Sequence, residues 1–259
     1  MITLEVLAFL ISQIIKRTKI HNTSRLALCQ ENLKIVLGRK PEKYEINEVF
    51  MFHTLYHLYL AAYPIIKSYI KVYPETPNNY NELTEYSISK GAICVSGHIG
   101  IPEFASSLFR KHGIKIFALV ERLEPMISRY FFNISRMKIG INTKESFKDF
   151  VFEMREPKGK IFVLLVDRPI PNSKPTQMFG ETFYVSDLPF RLSQRFQLEV
   201  FGIACYKEGK KFLFRSEKLQ SYDSMIEFLE RIIKERYTQW NLFFKRDILL
   251  NNEKIRENM

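Results

Sequence analysis

The chain has 259 residues, with 39 Lys and Arg against 28 Asp and Glu and a formal net charge of +11. That length suffices for one large domain or two small ones; 46% hydrophobic residues exclude a disordered tail, and 10 Gly and 11 Pro exclude a collagen-like or linker-rich chain. Three scattered cysteines, Cys29, Cys94 and Cys205, are too few for a disulfide framework or a Cys-rich zinc site and point to a reducing, cytosol-facing location.

The positive excess calls for an anionic partner. Nucleic acid, an anionic membrane surface, an acidic carrier protein and a phosphorylated substrate all satisfy it. Residues 1–15, MITLEVLAFLISQII, are mostly apolar and precede Lys16, Arg17, Lys19 and Arg25. No basic region comes before the run and no small-residue cleavage site after it, which argues against a cleaved signal peptide. The run is shorter than the roughly 20 residues that span a bilayer, and it carries Glu5 and Gln13. Two readings stand: a core-packing helix, or a helix over 1–20 lying in the membrane interface with its basic residues against lipid head groups.

Apolar positions at helical spacing predict helices over 24–38 (Leu26, Leu28, Leu33, Val36) and 45–70 (Val49, Phe50, Leu55, Leu58, Leu60). Residues 24–70 therefore read as a helical N-terminal part. Residues 71–90, with Pro74, Pro77, Asn78 and Asn79, read as a loop. From 91 to 248 the pattern becomes strand–helix alternation. Strands are expected at 92–96, 115–120, 160–166, 199–206 and 211–215, and helices at 101–112, 125–136, 144–156, 187–197 and along a long segment over 222–248. This predicts a single α/β domain with a mixed, largely parallel sheet surrounded by helices.

The chemistry concentrates in Cys94-Val95-Ser96-Gly97-His98-Ile99-Gly100-Ile101-Pro102-Glu103. A strand ends, two glycines bracket a histidine, and a helix begins near Pro102, a residue favoured in the first helical turn. His98 is thus expected at the C-terminal edge of a strand, where open α/β sheets hold their ligands. If the chain folds back, the Glu103 carboxylate can orient one imidazole nitrogen and leave the other to take a proton from a hydroxyl. That is the base-plus-orienter half of a catalytic triad without a protein nucleophile. The plainer alternative is a loop histidine with Glu103 stabilising a helix N-terminus. His53 and His57 in HTLYH have the spacing of two zinc ligands. The glutamate after the first histidine is missing, though, and no third ligand is evident, so ordinary helix histidines are expected.

Gly97-His98-x-Gly100-x-x-Glu103 after a strand resembles the signature of the late acyltransferases of lipid A biosynthesis. These form a branch of the lysophospholipid and glycerophosphate acyltransferase superfamily with its HxxxxD/E motif. Further elements resemble the same family in order: Arg25…Asn32-Leu33, Arg122-x-x-Pro125, Arg136-x-x-x-Gly140, Asp167 after an apolar strand, Phe179-Gly180, and Gln239-Trp240 followed by Lys245-Arg246. The set runs from about residue 25 to 246. Ile101-Pro102 and Arg168 depart from it, standing where members commonly carry Asn with an aromatic residue, and Gln.

The resemblance implies a glycerophosphate-acyltransferase-like fold with an apolar groove. It implies an O-acyltransferase that moves a fatty acyl chain from an acyl carrier protein or coenzyme A thioester to a hydroxyl of a lipid or glycolipid, most of all a lipid A precursor. His98 would be the general base and Glu103 its orienter. Backbone N–H groups near Gly97 and Gly100 would stabilise the oxyanion. Arg136, with Arg122 in the same arginine region, would bind phosphate, and Asp167 would hold Arg136 or a helix end. No metal and no cofactor beyond the thioester co-substrate is implied. The expected location is the cytoplasmic face of the inner membrane, attached peripherally or monotopically. The alternative is a non-catalytic basic protein binding membrane or nucleic acid. Against nucleic acid, the charges are spread along the chain and no zinc or glycine-aromatic RNA motif is present.

Overall fold

A computed structural model describes residues 23–121, 126–170, 172–241 and 243. The apolar segment 1–20, Arg122, Pro125 and the Lys245-Arg246 pair lie outside the described residues.

The described chain is α/β. Its helices and strands follow the order α1 (Thr23–Leu37), α2 (Lys43–Ile66), β1 (Val72–Pro74), α3 (Pro77–Ser89), β2 (Ala92–Ser96), a 3-10 turn (Pro102–Ala105), α4 (Ser106–Arg110), β3 (Lys115–Leu119), α5 (Met126–Ile139) and β4 (Ile141–Lys144). There follow α6 (Phe147–Glu153), β5 (Lys160–Leu165), β6 (Lys174–Met178), β7 (Glu181–Val185), α7 (Leu188–Phe196), β8 (Val200–Glu208), β9 (Lys211–Leu219), α8 (Tyr222–Glu235) and a 3-10 turn (Tyr237–Gln239). Seven strands make one mixed sheet in the order β1-β9-β8-β2-β5-β3-β4. From β8 to β4 all neighbours are parallel; β9 is antiparallel to β8, and β1 is parallel to β9.

Strand periodicity sorts the core into two layers. In β2, Ile93 and Val95 point to a layer formed with α1, α6, α7 and α8, through Leu33, Phe150, Leu192 and Phe228. Ala92 and Cys94 point to the opposite layer, with Leu60 of α2, Leu83 of α3 and Phe109 of α4. Both faces of the sheet are covered, so every residue of β2 is buried. Helix α2 belongs to both layers. Val49 and Phe50 join the first, while Leu55, Tyr59 and Tyr63 join the second. By length and composition α2 could cross a membrane, but ten of its residues are buried in this core.

Several local expectations change. Residues 71–90 hold a short strand and a helix rather than a loop. Pro77 sits at the start of α3, where its missing N–H costs nothing, and Tyr80, Leu83, Thr84 and Ser87 bury one helical face. The expected helix over 144–156 shortens to Phe147–Glu153, because Ile141–Lys144 pairs with β3 and Ser146 caps the helix by accepting from the Asp149 N–H. The region between β5 and α7 forms a hairpin that the apolar pattern hides. Its two-residue turn is Phe179-Gly180, with φ of 53° and 76°, the left-handed pair that matches strand twist. The long helical segment expected from 222 ends at Glu235 and passes through the 3-10 turn to Trp240.

Topology creates a crevice. After β2 the chain turns into the layer of Phe104, Leu108 and Phe109. After β5 it turns into the opposite layer, with Met178, Phe183 and Leu192. Adjacent parallel strands whose continuations diverge to opposite faces leave an opening at their carboxyl ends. The register pairs Ser96 with Leu165, so the residues two further on, His98 and Asp167, stand on the two banks of that opening.

Candidate active site

His98 is held at this opening from all sides. Its Nδ1 lies 2.6 Å from Asp167 Oδ1, and its backbone N–H donates to Asp167 Oδ2 at 2.7 Å. The His98 carbonyl accepts from the Asn241 N–H at 2.8 Å, the Gly100 N–H donates to the Gln239 carbonyl at 2.9 Å, and the Ile101 N–H donates to the Cys205 carbonyl at 2.7 Å. Ile99 and Trp240 form an isolated antiparallel bridge. Gln239 is itself anchored on both backbone groups of Lys207. The loop is therefore a preorganised mount, built from β2, β5, β8 and the residues after α8.

Both glycines of the motif meet close contacts. A Cβ at Gly100, whose φ is +66°, would lie 2.0 Å from the Cys205 carbonyl oxygen. A Cβ at Gly97 would come within 3.0 Å of Asp167 Oδ2, so glycine is what lets that carboxylate reach under the loop.

Asp167 is buried, and its Oδ2 also accepts the indole N–H of Trp240, the sole tryptophan, at 2.8 Å. Burial pushes its carboxyl up, but the His98 charge, the imidazole hydrogen bond, the Trp240 N–H and the His98 backbone N–H outweigh this and hold it at about 2. An ionised Asp167 on Nδ1 selects the tautomer with the proton on Nδ1 and leaves Nε2 as an acceptor. The imidazole remains partly open, with 26% of the side chain exposed.

Glu103 does not perform the orienting role. Its Oε1 accepts from the Tyr56 hydroxyl at 2.9 Å and from Arg136 Nε at a long 3.4 Å. The reason is topological: the 3-10 turn carries Glu103 into the layer of α2 and α5, away from the β5 bank where Nδ1 points. Asp167 likewise holds His98 rather than Arg136. Nor are the backbone N–H groups of His98, Gly100 and Ile101 free for an oxyanion, since each already has an acceptor. Arg136 is no surface residue. Its side chain is 16% exposed, and it lies over the Phe132 ring. Burial opposes its charge, but Glu103 and Tyr56 overcome that and raise its pKa. Burial and the Glu103 charge push the Tyr56 phenol well up, so it stays a hydrogen-bond donor. Burial also pushes up the thiols of Cys94 and Cys205, leaving neither as a thiolate nucleophile.

Two cavities adjoin these residues. One, of about 510 Å³ and partly open to solvent, brings His98, Glu103, Arg136, Tyr56, His53 and Trp240 onto one wall system. The other, of about 620 Å³ and also partly open to solvent, is lined mostly by apolar side chains, among them Phe109, Ile116, Ala118, Ile161, Val163 and Ile203. Pro102, Glu103, Arg136 and Leu165 border both. His57 Nδ1 contacts the His53 carbonyl at 2.7 Å, and the two rings pack edge to face. Among the described residues no group of three or more His, Cys, Asp or Glu side chains is arranged to hold a metal.

Of the residues singled out from sequence, His98, Asp167, Gly97 and Gly100 meet in one cluster and Glu103 and Arg136 in an adjoining one; Arg122 lies outside the described residues. Tyr56 and the Asp167-binding role of Trp240 were not foreseen. Tyr56 lies 47 positions from Glu103; its position in HTLYH, on one helical face with Phe52 and His53, was the available signal. No model of a known protein family matches the chain, and no curated protein matches it.

Proposed function

We propose that this protein is a membrane-associated O-acyltransferase that moves a fatty acyl chain from an acyl thioester, on acyl carrier protein or coenzyme A, to a hydroxyl of a lipid or glycolipid, with a lipid A precursor-like molecule as the leading acceptor. The observation that carries the reading is the His98–Asp167 pair in a cavity whose described lining contains no Ser, Thr, Cys or Lys. An oriented imidazole whose Nε2 is open and whose described surroundings offer no serine, threonine, cysteine or lysine nucleophile serves a nucleophile brought by the substrate. His98 takes the proton of the acceptor hydroxyl as the oxygen attacks the thioester carbonyl. The tetrahedral intermediate then expels the thiolate, and the proton on His98 returns to the sulfur. Arg136 is the cation in the described lining of this cavity and suits a phosphate or the developing oxyanion.

The apolar cavity sharing Glu103 and Arg136 with the polar one suits an acyl chain whose carboxyl end reaches His98. The +11 charge suits an anionic membrane surface, a phosphorylated acceptor and an acidic or phosphate-bearing donor. Location at the cytoplasmic face of the inner membrane, peripheral or monotopic, belongs to the same proposal. The test is acyl transfer by purified protein from acyl coenzyme A and acyl carrier protein to lipid hydroxyls. His98→Ala is expected to lose about 10²–10⁴-fold in rate. Full activity in that variant overturns the assignment.

A further inference from the structure

We infer that Glu103 is a substrate-binding residue whose Oε2 accepts a hydrogen bond from a hydroxyl of the acyl acceptor, and that Tyr56 is the positioning residue that aims it. The inference rests on the acyl-transfer reading above. It assigns Glu103 a role separate from the proton relay of His98.

The carboxylate is divided in its contacts. Oε1 takes both protein partners, the Tyr56 hydroxyl and Arg136 Nε. Among the described residues Oε2 has none and is closed off from solvent, on a residue only 6% exposed. A buried polar atom left unpaired is costly, and more so on a charged group. Natural sites tolerate that cost where a ligand completes the pairing. Glu103 and His98 both line the polar cavity, and each carries an acceptor without a donor from the described residues, His98 Nε2 and Glu103 Oε2. A sugar or glycerol lipid offers a donor to each, one hydroxyl to the base and another to the carboxylate, and the carboxylate turns toward the cavity to take it. Arg136 balances the charge of Glu103, and the Tyr56 hydroxyl fixes which oxygen is spent on protein. Asp167 holds both Nδ1 and the backbone N–H of His98, which leaves the described contacts of Glu103 to Tyr56 and Arg136.

The competing source of a donor in the same cavity is an amide N–H of the pantetheine arm on the thioester, and the experiment separates the two. Initial rates are measured on the full chain with dodecanoyl coenzyme A as donor and a tetraacylated, phosphorylated glucosamine disaccharide or lysophosphatidic acid as acceptor. Glu103→Gln keeps the shape but offers an amide N–H in place of Oε2. The expected result is an acceptor KM raised about 10- to 100-fold, with kcat at saturating acceptor within about threefold of wild type and an unchanged donor KM. Tyr56→Phe is expected to raise the same constant by less, and to add nothing on top of Glu103→Gln. A loss confined to kcat, a rise in donor KM instead, or additive effects of the two variants overturns the inference. Should Glu103→Gln fail to fold by circular dichroism, Tyr56→Phe decides on the same constants: a raised acceptor KM supports the inference, and an unchanged one overturns it. If wild type transfers nothing to either acceptor, or His98→Ala matches it, the acyl-transfer reading itself falls. If wild type is active and His98→Ala is not, failure concerns Glu103 alone.

Discussion

Asp167 grips His98 twice, with one carboxylate oxygen 2.6 Å from the ring Nδ1 and the other accepting the backbone N–H at 2.7 Å. The double contact fixes ring and loop together, because the group that sets the tautomer also sets the position of the main chain carrying the ring. The two strands supply it by being parallel neighbours in register, Ser96 opposite Leu165.

Asp167→Asn is expected to reduce acyl transfer by about 10²–10⁴-fold while the protein stays folded. An amide can donate to Nδ1 and so stabilise the wrong tautomer. Steady-state rates alongside the circular dichroism spectrum check this. Near-wild-type transfer shows that catalysis does not depend on Asp167 orienting His98.

Trp240→Phe keeps an aromatic ring in the core and removes the indole N–H from Asp167 Oδ2. The expected effect is a roughly tenfold loss of kcat, the scale of one hydrogen bond to a charged group. Rates that match wild type remove Trp240 from the functional set.

Acid titration follows from the Asp167 carboxyl at about 2 against its ordinary 3.8. A depressed native pKa means stability that is fully present above the unfolded value and lost as pH falls through the native one. Unfolding followed by Trp240 fluorescence is therefore expected to include a contribution from Asp167, on the order of 2 kcal/mol, that disappears between about pH 4 and pH 2. Asp167→Asn should flatten that part of the curve; an unchanged slope contradicts the assignment.

Gly100→Ala is expected to destabilise by at least about 2 kcal/mol, because a left-handed φ of +66° and a 2.0 Å approach to the Cys205 carbonyl combine. Gly113→Ala, also left-handed with φ of +73° but with open space around it, should cost only about 1–2 kcal/mol. Urea midpoints of the two variants give the comparison. Equal values show that the loop yields.

Ala118→Phe adds bulk to the apolar cavity. The expected outcome is a preference shifted toward shorter acyl chains, with about 1–3 kcal/mol of discrimination per methylene that no longer fits. Products from a mixture of C8 to C16 thioesters, read by mass spectrometry, provide the measurement. An unchanged profile places the chain elsewhere.

The α/β class with a largely parallel sheet is legible because it depends on local patterns. Apolar runs such as residues 92–95 mark strands covered on both faces, and their alternation with helices follows from chain geometry. His98 at a strand end, the two glycines and the aspartate after the Lys160–Leu165 strand are legible for the same reason. Helix α3 was hidden under a proline and two asparagines that suit a helix start as well as a loop. The β6–β7 hairpin was hidden because its strand KPTQM carries little apolar signal.

Sequence by itself thus determined which residue types crowd the end of β2, a histidine and nearby carboxylates among them. Which carboxylate serves the histidine was decided only by tertiary structure. Sequence proximity favours Glu103, five residues away, but a 3-10 turn swings it into the other layer toward Tyr56 and Arg136. Parallel pairing brings Asp167 across from 69 residues away to within hydrogen-bond distance. Separation along the chain measures nothing about distance once strands pair, because register, a global property of the sheet, sets which side chains face each other across the crevice.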